Sequence, residues 1–426
     1  MVLVLVGFTL PFAHTNIVVA GYPMTPAKAV TAVLLVFVLL RLVIQRNRLI
    51  LDRKAVAVLA FGASVAASAT VAFFADIPLP NLIRVSTTWF LLLIFYFLLV
   101  HAIEDEGELD VFLMSVVAGA IFVTITGFLG LGFQTYSAEG GRIGGEGGNP
   151  NTLAFNLVLA LPLAASFMES SRSAGTKVLW MAALLALLSG VAGTLSRSGL
   201  VALLGVGLYW GLSVRKLDPL RFGVPFLLVV AFAFFFMPES VAERVGTLSP
   251  EKLPFDNSAR SRMDVLPFAL QAIGSHPLLG IGLLRWLSWS IHAGSHVHNV
   301  IHNAYLQVAV EQGLLGLVPF LLITVFSWRD LSRVRQAGQR LRRRGDLRLR
   351  RTVLRAEMLQ VGMLGILVIS QFQPTMRYRS LWATFALSSV VLAVARSRLA
   401  AEPSQAPEVG TAAAPMARVG LPASGG

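Results

Sequence analysis

Apolar stretches close to 20 residues long recur from one end of the chain to the other. A helix needs about that length to cross roughly 30 Å of hydrocarbon. Each such stretch must be helical, because unpaired backbone groups cannot be left facing lipid. Only 13% of the residues are charged, about half the share usual in soluble domains, and the mean hydropathy is +0.72. A soluble helical protein would show polar faces at helical period, and few segments do. The pattern predicts an all-α polytopic membrane protein of about twelve transmembrane helices. They are placed at 2–20, 27–44, 55–75, 83–100, 111–132, 152–168, 177–195, 199–214, 222–237, 303–327, 357–373 and 380–396. The first apolar stretch lacks a basic n-region and an A-x-A site, so it reads as a first span rather than a cleaved signal.

Charge sets the expected orientation. The net charge of +13 invites a nucleic-acid reading, but in a membrane protein it more often reflects basic cytoplasmic loops. With both termini in the cytoplasm, 24 of the 35 basic residues fall in inside loops, eleven of them arginines between Arg329 and Arg355. The segment 329–355 then reads as a solvated cytoplasmic loop beside anionic lipid, without nucleic acid. Residues 1–398 form the membrane domain, and 399–426, rich in Ala, Pro, Gly and Ser, read as a disordered cytoplasmic tail. Two external loops are long, at about 133–151 and 238–302. Within the second, apolar residues at roughly helical spacing over 260–273 predict an amphipathic helix lying at the membrane surface.

The external charges are few. Arg142 lies in a glycine-rich loop before Asn149 and the next helix, and Arg197 lies at the tip of a tight hairpin. Arg260 and Arg262 open the amphipathic helix. His302 and Asn303 start the span that contains Glu311, and Arg377 and Arg379 occupy the last external turn. An arginine at a helix end commonly snorkels, and glycines commonly make a linker. Several guanidiniums on one face nevertheless suit a phosphate or pyrophosphate, and glycine lets backbone N–H groups approach such an anion. An imidazole near neutrality can take a proton from a hydroxyl, so His302 is read as a base, with helix capping as its structural alternative. Glu311 is costly to bury charged; pairing with an arginine and lining a polar cavity are both open, as are catalytic and structural roles. His292, His296, His298 and His302 lie within eleven residues, but without cysteine or a close carboxylate they fall short of a metal site. No cofactor is expected.

At these residues the sequence resembles the O-antigen ligase family, with the related Wzy-type polymerases and protein O-oligosaccharyltransferases. The resemblance rests on "GNPN" after the glycine-rich loop, "SRSG" at the hairpin tip, an arginine followed by "HPLLGIGL" (Arg262 through Leu283), and "HNAYLQVAVEQGLLG". It covers roughly residues 130–330. It implies transfer of a glycan from a polyprenyl diphosphate carrier to an acceptor hydroxyl on a glycan, lipid or protein, at the outer face of the inner membrane. By the same resemblance Arg197 and Arg262 hold the lipid diphosphate, with Arg142 beside them, and His302 is the base. Asn149, Arg260, Asn303, Glu311, Arg377 and Arg379 are expected to line the substrate site, the last two from topology alone. No D-x-D motif stands in the external loops, so the expected reaction is metal-independent, and attack from the face opposite the leaving group inverts the anomeric centre. The competing class is a transporter or flippase of an anionic or lipid-linked substrate, with Glu311 as the main feature in its favour.

Overall fold

The computed structural model describes residues 1–12, 17–19, 22–24, 26–45, 52–130, 142–144, 149–218, 257–295, 299–343 and 349–400. Its helices are α1 (Val2–Phe8), α2 (Pro26–Gln45), α3 (Arg53–Phe73), α4 (Leu79–Ala102), α5 (Glu106–Phe128), α6 (Pro150–Ser170), α7 (Ala174–Gly193), α8 (Arg197–Leu208), α9 (Asn257–Ser275), α10 (Trp286–His292), α11 (Ala304–Arg343), α12 (Arg350–Ile369) and α13 (Arg379–Ala400). A π-helical turn, Tyr209–Val214, extends α8, and a 3-10 turn, Thr375–Arg377, precedes α13. Among the described residues nine helices are long and apolar enough to cross a membrane: α3 to α7, α8 with its π turn, and α11 to α13. The predicted second span is the shorter apolar helix Ala29–Ile44 within α2. The predicted span 222–237 and the tail from 401 onward lie outside the described residues.

The predicted first span is corrected. Helix α1 has seven residues, about 10 Å at 1.5 Å per residue, which is too short to cross. Pro11 cannot donate to a continuing helix. Beyond it, Ile17–Val19 pairs antiparallel with Tyr22–Met24, with Ile17 opposite Met24. Continuous hydropathy hid a change of secondary structure, for β-branched residues in a short run suit a strand as well as a buried helix. What remains of α1 packs on α5 through glycine. A Cβ on Gly119 would stand 2.2 Å from the Phe8 carbonyl oxygen, the close approach that small residues permit between membrane helices.

Polar side chains start the helices. Asp52, Asp105, Asn149, Ser173 and Ser196 each accept a hydrogen bond from a backbone N–H in the first turn of α3, α5, α6, α7 and α8, satisfying donors that no intrahelical carbonyl reaches. The helices run back and forth, so their ends gather in two groups. At the basic end Arg355 bonds Asp110 (2.7 Å) and Ser166 (2.9 Å) and lies 3.8 Å over the Phe167 ring. Lys54 bonds Asp330 at 2.9 Å, Arg398 bonds Glu106 at 3.0 Å, and Arg41 bonds Glu104 at 2.9 Å. Each pair joins segments remote in sequence, helix to helix or, for Arg41–Glu104, helix to the α4–α5 turn, so these charges hold the bundle together.

At the opposite end a second, smaller core holds the site. Val265, Ala269 and Ala272 form one buried face of α9, packed with Ile281, Trp286, Ile301 and Val310. The other face presents Met263, Leu266 and Leu270 outward. Helix α11 breaks next to this core. Gly313 has φ 61° and ψ −157°, a conformation essentially confined to glycine. The chain from Pro277 to Gly282 lies in the break and takes up its backbone groups. Ile281 N donates to Val310 O (2.9 Å), Gly282 N to Glu311 O (3.2 Å), Leu314 N to Pro277 O (2.8 Å) and Leu315 N to Leu278 O (3.1 Å). A membrane helix can be interrupted only where its freed groups are met in this way.

Candidate functional site

Helix α11 begins on Asn303, whose Oδ1 accepts from Leu306 N at 2.9 Å. Its Nδ2 donates to Gln371 Oε1 at 3.2 Å, and Ala304 N donates to Ser370 O at 2.8 Å. Asn303 thus carries the capping role, and the residue before it, His302, is held at the junction of α11 with the α12–α13 turn. The Nδ1 of His302 is buried and has no hydrogen-bond partner among the described residues. Burial pushes the imidazole below its usual pKa, and the guanidinium of Arg262, brought up on α9, pushes it the same way. His302 is therefore neutral around pH 7, the form that accepts a proton.

One turn to three turns into α11 the polar side chains continue. Gln307 Nε2 donates to Glu311 Oε1 at 3.3 Å, and the Glu311 side chain is buried. The charge of Arg377, exposed on the 3-10 turn before α13, acts on Glu311. Beside it Ser68 donates to the Glu311 backbone carbonyl at 2.6 Å, and Ser64 bonds Gln312 Oε1 at 2.9 Å. A polar seam thus runs from His302 toward the Gly313 break.

A second group forms at the α7–α8 hairpin. Arg142 Nε donates to the Thr194 carbonyl at 3.0 Å, and Ile143 N donates to Gly193 O at 2.9 Å. Asn149 caps α6; two residues on, Asn151 accepts from Ser196 Oγ at 2.7 Å, and Ser196 itself caps α8. Arg197 is the first residue of α8, so Arg142, Asn149 and Arg197 are brought to one hairpin tip. The two groups are linked where Thr152, in the first turn of α6, bonds the Tyr378 hydroxyl at 2.9 Å, next to Arg377. Burial holds that phenol above its usual pKa, so it stays protonated through the physiological range.

Other expected residues sit elsewhere or are not described. Arg379 points into the bundle, with its guanidinium 4.6 Å over the Phe95 ring and a 2.9 Å bond to Thr31. Arg260 lies on α9, but its side chain is outside the described residues, as are His296 and His298. His292 is exposed on α10, and no group of three or more metal-ligating side chains occurs among the described residues. Gln307, Gln312, Gln371, Ser64, Ser68 and Tyr378 escaped sequence reading. Only Gly313, a glycine within an apolar span, signalled the break.

Residues 182–321 match the family model described as O-antigen ligase. Over that stretch the chain is similar to an O-antigen ligase domain. The match begins within α7 and ends within α11, so the matched stretch holds Arg197, Arg260, Arg262, His302, Asn303 and Glu311. Arg142, Asn149 and Arg377 lie outside it and are brought near it only by the fold, and Arg379 lies outside it against Phe95 and Thr31. No curated protein matches the chain.

Proposed function

We propose that this protein is a membrane glycosyltransferase that moves a glycan from a polyprenyl diphosphate carrier to an acceptor hydroxyl, as a polysaccharide ligase or polymerase of the inner membrane. The observation that carries this reading is His302 at the start of α11, its Nδ1 buried and unbonded among the described residues and Arg262 of α9 near enough to act on it, at the end of the bundle opposite the basic clamps. The acceptor oxygen attacks the anomeric carbon and its proton passes to the imidazole of His302. The bond from the anomeric carbon to the diphosphate oxygen breaks with its electrons leaving on the diphosphate. Arg262 and Arg197 meet that developing charge, so the step needs no metal. Attack opposite the leaving group inverts the anomeric centre. The lipid-linked donor enters from the bilayer, and the acceptor is another glycan, a lipid or a protein. Arg142, Asn149, Arg260, Asn303, Glu311 and Arg377 line or support the substrate site. The place of Arg379 over Phe95 suits a residue that positions α13 beneath Arg377.

The test is transfer by the purified protein from a polyprenyl diphosphate glycan to extracted acceptors, with EDTA present. Transfer is expected to persist in EDTA and to fall about 10²–10⁴-fold in His302→Ala, the range for losing a general base. Undiminished transfer in a folded His302→Ala protein would remove His302 from the mechanism.

A transporter is the second reading, favoured by one observation: α11 is interrupted at Gly313 beside buried Glu311, as helices are at transporter substrate sites. Turnover in detergent, where no gradient exists, separates the two.

A further inference from the structure

At the basic end, far from His302, two cavities adjoin. One, of about 580 Å³, is lined by Arg215, Arg342, Arg350, Glu169 and Glu357, with aliphatic walls from α11 and α12. The other, of about 520 Å³, is lined by Met168, Val178, Met181, Trp210 and Met358 and reaches Lys177. Glu169 borders both. A third hollow of about 410 Å³ continues the basic wall along Arg215, Lys216 and Arg342.

The chemistry of the two spaces differs sharply. Around the first and third stand Arg215, Lys216, Arg342 and Arg350, with Lys177 nearby, against the carboxylates of Glu169 and Glu357. Glu169 is already paired with Arg215, and Glu357 faces the charges of Arg215, Arg335 and Arg342, so cations remain in excess. Arg342 and Arg350 are exposed, and the ion pairs that clamp the bundle engage neither of them among the described residues. The second space is methionine-rich and apolar, and Val178 and Met181 on its α7 wall are largely exposed. On a membrane-crossing helix that exposure faces acyl chains.

Local backbone geometry joins the two spaces. Helix α8 loosens into the π turn Tyr209–Val214, where Arg215 N bonds Trp210 O at 2.9 Å. Such turns are rare and often mark functional positions. Here the turn sets Trp210 in the apolar wall and the guanidinium of Arg215 5.5 Å over its ring. Tyr209 bonds Arg335 at 3.2 Å and fixes the turn to α11.

We infer that this double cavity binds one anionic phospholipid from the leaflet at the basic end. Its phosphate sits among Arg215, Arg342 and Arg350, and one acyl chain occupies the methionine-lined slot between α6, α7 and the π turn. A fork of guanidiniums suits phosphate oxygens, and methionine adapts to a mobile chain. The site is separate from the proposed glycosyl-transfer site and does not depend on that reading.

Native mass spectrometry of the full chain released from phosphatidylcholine nanodiscs doped with phosphatidylglycerol tests this. One phosphatidylglycerol is expected to stay bound in preference to phosphatidylcholine. Arg342→Gln with Arg350→Gln is expected to weaken its retention on the order of tenfold. Met181→Trp, which fills the slot and leaves every charge in place, is expected to displace the lipid as well. Arg340→Gln removes an exposed charge that borders neither cavity and is expected to change nothing. Competition by glycerol 3-phosphate as effective as by short-chain phosphatidylglycerol would overturn the inference, because only a free phosphate site would then be present. Equal weakening by Arg340→Gln would overturn it too, since bulk surface charge would explain the binding. Arg215→Gln is avoided as a primary variant because Arg215 also holds Glu169.

Discussion

His302 is subject to two effects that act in one direction: burial disfavours the imidazolium, and Arg262 repels it. A base whose pKa is lowered stays deprotonated further into acid, so the acidic limb of transfer is expected below pH 6.5, the ordinary histidine value. Arg262→Gln removes the repulsion and is expected to move that limb upward toward 6.5, besides lowering the rate. A profile of kcat/KM between about pH 4.5 and 8 checks both shifts, and a wild-type limb at or above 6.5 would count against His302 as the titrating group. Arg355 shows the opposite use of a cation. It is buried with Asp110, Ser166 and Phe167 at the basic end, where it can touch no substrate of the proposed reaction. Arg355→Met strands Asp110, and since Asp110 keeps some access to water, the loss is expected near the low end of the range for a broken buried pair, about 3 kcal/mol. Denaturant unfolding measures it; Arg355→Met with Asp110→Asn should recover part of the loss, and transfer per folded molecule should be unchanged. At this scale short motifs singled out residues that the fold brings near each other, as it does His302 and Arg262. The sequence was not readable where a partner arrives from a remote segment: nothing near Gln371 or Thr152 says that it will meet Asn303 or Tyr378. Arg379 misleads for the same reason, since a single residue separates it from the exposed Arg377, yet its side chain turns inward to Phe95.

The element on which the site depends is the broken helix. A Cβ on Gly313 would lie 2.3 Å from Leu278 O and 2.6 Å from Gly280 N, both backbone atoms that cannot swing aside. One on Gly280 would lie 2.5 Å from the Glu311 carbonyl carbon. Glycine is required at both positions for the 276–283 segment to seat, and that segment ties α9, which carries Arg262, to α11, which His302 precedes. Gly313→Ala adds a backbone strain of about 1–3 kcal/mol to the clash. It is expected to release the segment, raise protease cleavage between α9 and α10, and lower transfer even though no polar side chain has changed. Gly205→Ala serves as the control, since a Cβ there meets nothing within 4 Å; cleavage rising equally in both variants would remove the special role of the break. Most span positions were legible because the hydrocarbon thickness sets their length and lipid forces them to be helical. The break in α11 was not, because hydropathy averages over a window and a single glycine hardly alters it. Residues 2–20 failed for a related reason: apolar character says that a segment is shielded from water, not whether it is helix or strand.

At the scale of the whole molecule, charge and geometry agree on two unlike ends. The clamps made by Arg41, Lys54, Arg355 and Arg398 lie at one end, and His302, Arg262, Arg197 and Arg142 at the other. Basic residues are retained on the cytoplasmic side, and this asymmetry was legible before any fold was known, because it depends on counting rather than on contacts. It also makes a prediction that is independent of catalysis. The chain contains no cysteine, so a single introduced thiol is an unambiguous reporter. Arg340 on α11 and His292 on α10 are both exposed and belong to opposite ends, and neither lies in a clamp. In intact cells, His292→Cys is expected to react with a membrane-impermeant maleimide, while Arg340→Cys reacts only after permeabilisation. The reverse pattern would place His302 and its arginines in the cytoplasm. A lipid-linked glycan would then have to be used before crossing the bilayer, and a transporter would become the better account of the polar seam along α11.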